Sequence, residues 1–316
     1  HLCDRRQRQM CIRDSATIAY TQEALTGASH KKVGPRFIPK ILGNIAAANI
    51  AIDYNIQGPS FTVSTACSSG GDAINTACMC MQSGKADIML AVGAESVLCP
   101  LVIYSLANAK ALSRRNDSPS TASRPFDVTR DGFVIGEGGG ALVLETEEHA
   151  LARGAKIYAE IRGCGNTDDA YHVTAPHPEG RGAIACMKQA IAEAGINPSD
   201  IGYINAHGTA TNKGDTVETS SIKKVFGNTL PYVSSTKGAT GHMMGAGGIT
   251  ETITCVKAIE TGTVPPTINL NEVDPECAGI DFVANTAKKA EINFAMSNAF
   301  GFGGQNSSII VGKYGK

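Results

Sequence analysis

One cysteine stands where the sequence pattern predicts a reactive thiol. Cys67 follows a run of mostly β-branched and aromatic residues, Phe61 to Thr65, that predicts a strand, and a helical pattern begins at Asp72. A thiol at such a turn lies near the positive end of the helix dipole and near unpaired backbone N–H groups, which favour the thiolate. Small neighbouring residues let a substrate carbonyl approach the backbone. We expect a nucleophile here; the alternative is an ordinary buried cysteine.

Three further residues could complete a catalytic site around this thiol. His207 ends a predicted strand, and Lys237 and His242 lie in a second glycine-rich strand-to-helix turn. A single histidine is more often structural, but two imidazoles, an ammonium and a thiol at such turns are harder to explain in that way. Together they suit acyl transfer onto sulfur, followed by carbanion chemistry at a carbonyl.

Alternating strand and helix patterns predict an α/β protein that positions these groups. Apolar spacing predicts helices over 41–52, 184–194, 217–226 and 249–256, a helix after Cys67, and strands over 61–65, 87–92, 141–145, 201–206, 232–235, 292–296 and 308–311. Residues 113–123 are polar and predict a surface loop. The alternation implies largely parallel sheets that are covered by helices.

The two halves of the sequence echo each other. Residues 61–67 parallel residues 232–237, and residues 132–144 parallel residues 301–311, in the same order. We therefore expect a duplicated α/β unit with an N-terminal half over 16–150 and a C-terminal half over 151–316. A site at their junction would use turns from both halves.

Composition narrows the class of protein. A net charge of −1 gives no indication of a nucleic-acid or anionic-membrane partner, and no apolar run approaches the about 18 residues of a membrane span. The 10 cysteines lack regular spacing and a signal peptide, which indicates reduced thiols in the cytoplasm. No Cys/His grouping has zinc spacing, so we expect no metal. Gly136, Gly138 and Ala141 formally fit a dinucleotide fingerprint, but this one opens a strand, so we expect no cofactor either.

The first 15 residues differ from the rest of the chain. They are rich in Arg and Gln and lack periodicity, which is typical of a translated adapter sequence, and we leave residues 1–15 out of the fold prediction as a non-native tail. A basic native tail is the alternative.

Four ordered motifs carry a family resemblance over residues 16–316. They are Thr65-Ala-Cys67-Ser-Ser-Gly, Asn205-Ala-His207-Gly-Thr-Ala-Thr, Lys237 with Thr240-Gly-His242, and Asn298-Ala-Phe-Gly-Phe-Gly-Gly-Gln-Asn306. In these motifs the chain resembles the elongating β-ketoacyl-(acyl-carrier-protein) synthases of the synthase II type, condensing enzymes of fatty acid elongation. The resemblance implies a thiolase-like fold with αβαβα layers, usually in a homodimer.

The resemblance also implies catalytic roles. Cys67 would take the acyl chain from acyl carrier protein as a thioester. His207 and His242 would promote decarboxylation of malonyl-acyl carrier protein and stabilise the enolate. Lys237 would orient the site and hold charge near His242, and Glu251 would support it as a polar residue of the substrate site. Two histidines match the elongating class rather than the acetyl-CoA-primed class.

The remaining implied roles concern the substrate. Backbone N–H groups of Cys67 and Phe302 would form an oxyanion hole, and Phe302 would also gate the acyl pocket beside Phe300. Thr209 and Thr211 would contact the phosphopantetheine arm that carries the acyl or malonyl group.

The chain also departs from the family pattern. Residues 68–72 follow the nucleophile where many relatives carry Thr or Ala and a His, which is expected to alter the floor of the acyl pocket. Family members begin well before the residue that aligns with Ala16, so we expect the N-terminal half to be incomplete, with apolar faces uncovered.

Three other functions fit parts of the sequence. A ketosynthase of polyketide assembly would carry the same motifs. A non-catalytic chain-length factor would share the fold, but such subunits typically lose the cysteine. A redox sensor would need a resolving cysteine beside Cys67, which the sequence does not place there.

Overall fold

The computed structural model describes Gln22 and residues 35–315, so the predicted tail over 1–15 lies outside the described residues. The helices are α1 (Phe37–Ile41), α2 (Ile45–Tyr54), α3 (Ser69–Gln82), α4 (Pro100–Asn108), α5 (Glu147–Ala152), α6 (Arg181–Ala194), α7 (Asn212–Phe226), α8 (Lys237–Thr240) and α9 (Gly247–Thr261). The strands are β1 (Ile88–Glu95), β2 (Gly138–Glu145), β3 (Glu160–Asp168), β4 (Ile201–Asn205), β5 (Tyr232–Ser234), β6 (Thr263–Val264), β7 (Asp281–Phe282), β8 (Lys288–Lys289), β9 (Phe294–Phe300) and β10 (Gln305–Gly312).

The main sheet has six strands in the order β3-β10-β9-β4-β5-β7. Strand β4 pairs in parallel with β5 and β9, and β5 pairs in parallel with β7, whereas β10 runs antiparallel to both β9 and β3. The chain returns from β9 into β10 through a short turn, and such a connection gives antiparallel neighbours. Strands β1 and β2 form a separate antiparallel pair. The prediction of largely parallel sheets was therefore wrong for the strands outside the β9-β4-β5-β7 part.

Two hydrophobic cores cover the two faces of this sheet. Successive residues of a strand point to opposite faces, so neighbours in sequence enter different cores. One core lies against α6 and α7 and contains Ile204, Met296 and Ile310. The other lies against α3 and α9 and contains Tyr203, Ala295 and Ile309. Because both faces are buried, the strands read as nearly continuous apolar runs.

Helices α3 and α9 form the layer between the two sheets. Helix α3 packs on β1 and β10, and α9 packs on β9 and β2 as well as on α3. The succession of helices, six-stranded sheet, central helices and β1–β2 pair is the layered, thiolase-like α/β arrangement that the sequence predicted. Each half supplies one central helix and one antiparallel strand pair, β1–β2 or β9–β10.

Glycines bring these two central helices into backbone contact at their N-terminal ends. A Cβ atom on Gly70 would lie 2.6 Å from the backbone N of Ile249, and one on Gly248 would lie 2.5 Å from the backbone N of Gly71. Side chains at these positions would force the two helix starts apart. The crossing therefore fixes the distance between the residues that precede each helix.

The segment before Cys67 differs from its prediction. Residues 61–65 form no strand and pair with no other strand in the described part of the chain. An apolar cavity of about 390 Å³, lined by Phe61, Val63, Ile50 and Leu90 among others, separates the segment from β1. A strand needs a neighbouring strand at hydrogen-bond distance. Strand β1 lies across the cavity from this segment, which is too far for pairing.

Two smaller features complete the comparison. The predicted helix over 41–52 is two helices, because Leu42 is extended with φ −75° and ψ 128° and ends α1. The glycine run from Gly138 belongs to strand β2 and opens no helix, consistent with the rejection of a dinucleotide fingerprint. Within the described residues, the helices are all too short or too polar to cross a membrane.

The glycine crossing gives a testable consequence for stability. We expect Gly70→Ala to lower the free energy of unfolding by about 1–3 kcal/mol, because the added methyl group overlaps the backbone of α9. Denaturant unfolding followed by circular dichroism measures this loss. Gly58→Ala is the matched control, since nothing lies within 4 Å of its Cβ position and the change should be neutral or slightly stabilising. Equal midpoints for the two variants would contradict the role of the crossing.

Candidate active site

Cys67 lies at a sharp backbone turn that leads into α3. It belongs to a 3₁₀ turn over Ala66–Ser68, which continues directly into the helix. Ala66 has a φ of 52°, a left-handed conformation that is strained for residues other than glycine. Gly301 approaches from the other half, where a Cβ would lie 2.7 Å from the carbonyl oxygen of Thr65 and 3.3 Å from the Cys67 backbone N. A side chain at position 301 would therefore collide with the turn that carries the cysteine.

The thiol points at an imidazole and at two backbone N–H groups. The Sγ atom of Cys67 lies 3.2 Å from Nε2 of His242. Burial raises the pKa of the Cys67 thiol to about 11, although the backbone N–H of Phe302, the charge of Lys237 and the N–H of Cys67 itself act to lower it. The expectation that the helix start would favour a thiolate was wrong for this state, because desolvation outweighs the N–H groups and the positive charge.

His207 and His242 come together from two turns of the C-terminal half. His207 follows β4, and His242 follows α8. Their ring centroids are 5.3 Å apart in an edge-to-face arrangement, and the ring centroid of Phe133 lies 5.2 Å from that of His242. Burial and the charge of Lys237 hold the pKa of both imidazoles well below the ordinary value, so both are neutral near pH 7. The Nδ1 atoms of both rings are buried without a hydrogen-bond partner in the described structure.

Lys237 and Glu251 form a buried ion pair behind the histidines. The Nζ atom of Lys237 donates to Oε1 of Glu251, and both side chains are almost completely buried. Burial raises the pKa of Glu251, and the ammonium of Lys237 opposes the rise. Neither residue lines the cavity described below, so Glu251 is not placed where it would contact substrate. Its prediction as a substrate-site residue is at odds with this position.

Two carboxylates that the sequence analysis did not single out hold the His207 turn. Glu218 accepts hydrogen bonds from the backbone N–H groups of His207 and Gly208, at 2.8 Å and 2.7 Å. Asp215 accepts from the backbone N–H of Ala210 in this turn at 3.1 Å, and its Oδ2 lies 3.5 Å from Nε of buried Arg130. Burial raises the pKa of Glu218 to about 7. The sequence contained one indication of both carboxylates. Asp215 and Glu218 continue the helical spacing of Ile222 and Val225, which places all four on the buried face of α7.

A cavity of about 580 Å³ connects the reactive groups to the surface. Its lining includes seven of the nine residues predicted for the site, namely Cys67, His207, Thr209, Thr211, His242, Phe300 and Phe302. The hydroxyl oxygens of Thr209 and Thr211 are 3.0 Å apart along one wall. Phe300 ends β9 with its ring 5.8 Å from that of His207, and Phe302 is 39% exposed in the β9–β10 turn. The cavity therefore gives a substrate access to the thiol.

Comparisons with known proteins agree with this geometry. The family described as β-ketoacyl synthase, N-terminal domain, matches residues 10–150, and its C-terminal domain matches residues 158–271. The 3-oxoacyl-[acyl-carrier-protein] synthase 2 of Rhizobium meliloti is 47% identical over 287 residues, which cover 90% of this chain and 68% of that protein. The chain belongs to the β-ketoacyl synthase family.

Other ketosynthases of this family extend the comparison. The mitochondrial 3-oxoacyl-[acyl-carrier-protein] synthase of Arabidopsis thaliana is 46% identical, covering 89% of this chain and 62% of that protein. Among solved structures, a type II polyketide ketosynthase in complex with its acyl-carrier protein superposes with a TM-score of 0.91 at 34% identity, covering 97% of this chain and 78% of that one. A β-ketoacyl synthase from Burkholderia phymatum has a TM-score of 0.89 at 36% identity, covering 94% and 72%.

The raised pKa of the thiol predicts how the free ketosynthase reacts with a simple alkylating agent. Because only the thiolate reacts, alkylation of Cys67 by iodoacetamide should rise about tenfold for each pH unit from pH 7 to pH 9, without a plateau. Peptide mass spectrometry at Cys67 separates this reaction from that of other cysteines. A plateau below pH 8 would show that the N–H groups and Lys237 outweigh burial.

Proposed function

We propose that this chain is a 3-oxoacyl-(acyl-carrier-protein) synthase that extends acyl chains by decarboxylative condensation with malonyl-acyl carrier protein. The observation that carries the proposal is the contact of Cys67 Sγ with His242 Nε2 in the wall of a large cavity, next to a second neutral imidazole. The names of the similar proteins support acyl carrier protein as the partner that delivers both substrates.

The first step transfers the acyl group to Cys67. The sulfur attacks the thioester carbonyl, and Nε2 of His242 accepts the thiol proton and then returns it to the departing phosphopantetheine sulfur. The backbone N–H groups of Cys67 and Phe302 interact with the sulfur in the free protein. In the tetrahedral intermediate they donate to the oxyanion, which lies beside the sulfur. The products are acyl-Cys67 and free carrier-protein thiol.

The second step removes carbon dioxide from the malonyl thioester. As the C–C bond breaks, negative charge moves onto the thioester oxygen, and the Nε2–H group of His207 donates to that oxygen. Neutral His207 serves as such a donor in the Nε2–H tautomer, which leaves its Nδ1 as an unpartnered acceptor. The carboxylate leaves as carbon dioxide, so the histidines do not accept a proton in this step.

The third step forms the new carbon–carbon bond. The enolate carbon attacks the carbonyl of acyl-Cys67, the oxyanion again accepts from the two N–H groups, and the Cys67 thiolate departs as the C–S bond breaks. One proton from solvent restores the thiol. The product is a 3-oxoacyl group on the carrier protein, two carbons longer than the starting acyl group.

We assign the remaining site residues to support and binding. Lys237 keeps the histidines neutral through its charge, and Glu251 acts through Lys237 by balancing that charge. Thr209 and Thr211 line the cavity wall, where their hydroxyls would bind the amides of the phosphopantetheine arm. Phe302 would gate the acyl pocket beside Phe300, from a turn in which Gly303 has a φ of 96°.

The alternatives fit less well. A polyketide ketosynthase is supported by the fold comparison at 34% identity, but the synthase 2 proteins are similar at 47%. A chain-length factor would not need a thiol in contact with an imidazole. For a redox sensor, the thiol–thiol contact in the described structure is between Cys78 and Cys164 rather than at Cys67.

We also retain the predictions on organisation and location as part of the proposal. The halves would divide near residue 150, between the two matched domains. The described cysteines are free thiols, as is usual in the reducing cytoplasm. A homodimer would cover the exposed apolar side chains of α4, where Leu101 is 58% and Tyr104 is 69% exposed.

The chemical roles can be separated by half-reactions. We expect Cys67→Ala to abolish acyl transfer, and His207→Ala to retain it while decarboxylation falls by about 10²-fold or more, because His207 has its role at the enolate rather than at sulfur. Intact mass after incubation with acyl-loaded carrier protein measures the first reaction, and carbon dioxide release measures the second. A wild-type protein that folds but takes no acyl group on Cys67 would contradict the proposed function.

The homodimer can be tested on two leucines of matched exposure. We expect Leu101→Glu to shift the sedimentation of the wild-type dimer to that of a monomer, since a charge cannot be buried in an apolar interface without a partner. Leu151→Glu in α5, at a site that is 56% exposed, should leave the dimer intact. A monomeric wild-type protein, or dimers of both variants, would rule out the α4 surface as the interface.

A further inference from the structure

Asp72 is a buried carboxylate just behind the nucleophile turn. It lies in the first turn of α3 and is 4% exposed. Its Oδ2 accepts from the hydroxyl of Thr65 and lies 3.1 Å from the hydroxyl of Ser68, and its Oδ1 accepts from the side-chain amide of Asn166 at 2.6 Å. Asp72 does not line the catalytic cavity, so the expected effect on the floor of the acyl pocket is not seen for this residue. Its contacts lie behind the nucleophile instead.

The donors to Asp72 flank the reactive cysteine on both sides. Thr65 comes two residues before Cys67, and Ser68 follows it directly. Between them lies the left-handed backbone of Ala66, which the surrounding contacts must hold in its strained conformation. The Ser68 hydroxyl also lies 2.8 Å from the Thr65 carbonyl oxygen, so its proton is shared between that oxygen and the carboxylate. Asp72 thus holds the two ends of the turn that presents Cys67.

The third donor connects this turn to the C-terminal half. Asn166 lies in β3, an edge strand of the six-stranded sheet, whereas the other two donors belong to the N-terminal half. The imidazole that contacts Cys67 is also carried by the C-terminal half. A charge-assisted hydrogen bond across the junction is short and directional, and a buried carboxylate without its donors is strongly unfavourable. The contact therefore favours one placement of the thiol turn relative to the half that carries His242.

We propose that Asp72 is a positioning residue for the condensation reaction, which holds the Ala66–Cys67 turn so that Sγ faces Nε2 of His242. The inference rests on the proposed function for its catalytic meaning. Asp72 touches neither substrate nor the reacting atoms, and it acts through Thr65, Ser68 and Asn166.

The test begins with Asp72→Asn, which keeps the shape of the side chain and removes one accepting oxygen. Since an amide nitrogen cannot accept, at least one of the three donors loses its partner. We expect the rate of Cys67 acylation to fall about tenfold to a hundredfold, with KM for the acyl carrier protein unchanged. The iodoacetamide reaction of Cys67 should also slow at pH 8 and its pH profile should shift, because the displaced sulfur loses its contact with His242.

A reciprocal substitution distinguishes positioning from simple destabilisation. In the double variant Asp72→Asn with Asn166→Asp, the amide nitrogen of residue 72 can donate to the carboxylate of residue 166, while its oxygen still accepts from Thr65 and Ser68. We expect this exchange to restore acylation to within about threefold of the wild-type rate. Thr65→Val removes one of the donors and keeps the shape of the side chain, so it should slow acylation in the same way. This variant replaces Asp72→Asn in the test if Asp72→Asn does not fold.

Gln189→Ala is the matched control. Its side-chain oxygen accepts from the backbone N–H of Asn166 at 3.2 Å, so the variant removes a hydrogen bond to the same residue without touching Asp72. Both rates should stay at the wild-type level in this variant. Unfolding midpoints of all variants are measured in parallel.

The outcomes separate this inference from the proposed function. Alkylation needs no acyl substrate, so a slower reaction in Asp72→Asn supports the positioning role even if the wild-type protein accepts no acyl group, a result that would overturn the proposed function alone. Wild-type rates of acylation and alkylation in Asp72→Asn and in Thr65→Val would overturn the inference. It would also be overturned if the exchange restored the unfolding midpoint but not the acylation rate.

Discussion

The backbone contact between the starts of α3 and α9 is the constraint on which the site depends. Glycines at 70 and 248 let two helices from different halves touch at their first turns. Cys67 directly precedes one helix, and the turn with His242 precedes the other. A larger residue at the crossing would separate the sulfur of Cys67 from the imidazole of His242, even if each half folded correctly. The contact between Cys67 and His242 is thus a consequence of helix packing.

Desolvation determines the charge states in this site. Burial raises the pKa of the thiol and lowers those of both histidines, and the charge of Lys237 acts further on the imidazoles. The resting site therefore holds neutral reacting groups, with the charge confined to the ion pair behind them. In the proposed mechanism, stabilisation of the two anionic intermediates then falls to N–H donors that are already fixed in place, which would avoid reorganisation during the reaction.

The sequence predicted the elements with long apolar periodicity and most of the residues that meet in the cavity around Cys67 and His242. Helices α6, α7 and α9 agree with their predictions because each has one face in a core. The strand over 61–65 was not found, because β propensity describes a segment and cannot supply the neighbour that it needs. Glu218 was missed because a carboxylate on the buried face of a helix has meaning only when the N–H groups that it accepts from are known. The raised pKa of Cys67 depends on burial, which a linear pattern does not contain.

The combination of a protonated thiol with two fixed N–H donors bears on the kinds of inhibitor that the protein would accept. A simple alkylating reagent meets a thiol whose pKa is about 11 despite the N–H groups of Cys67 and Phe302, and it carries no oxyanion that they could stabilise. An electrophile with a carbonyl oxygen, such as a strained lactone or an enone, can place that oxygen between the donors and lower its own barrier as sulfur attacks. The same feature would slow damage to Cys67 by small alkylators, which need the thiolate, so we expect covalent inhibitors of this site among acyl mimics rather than among general thiol reagents.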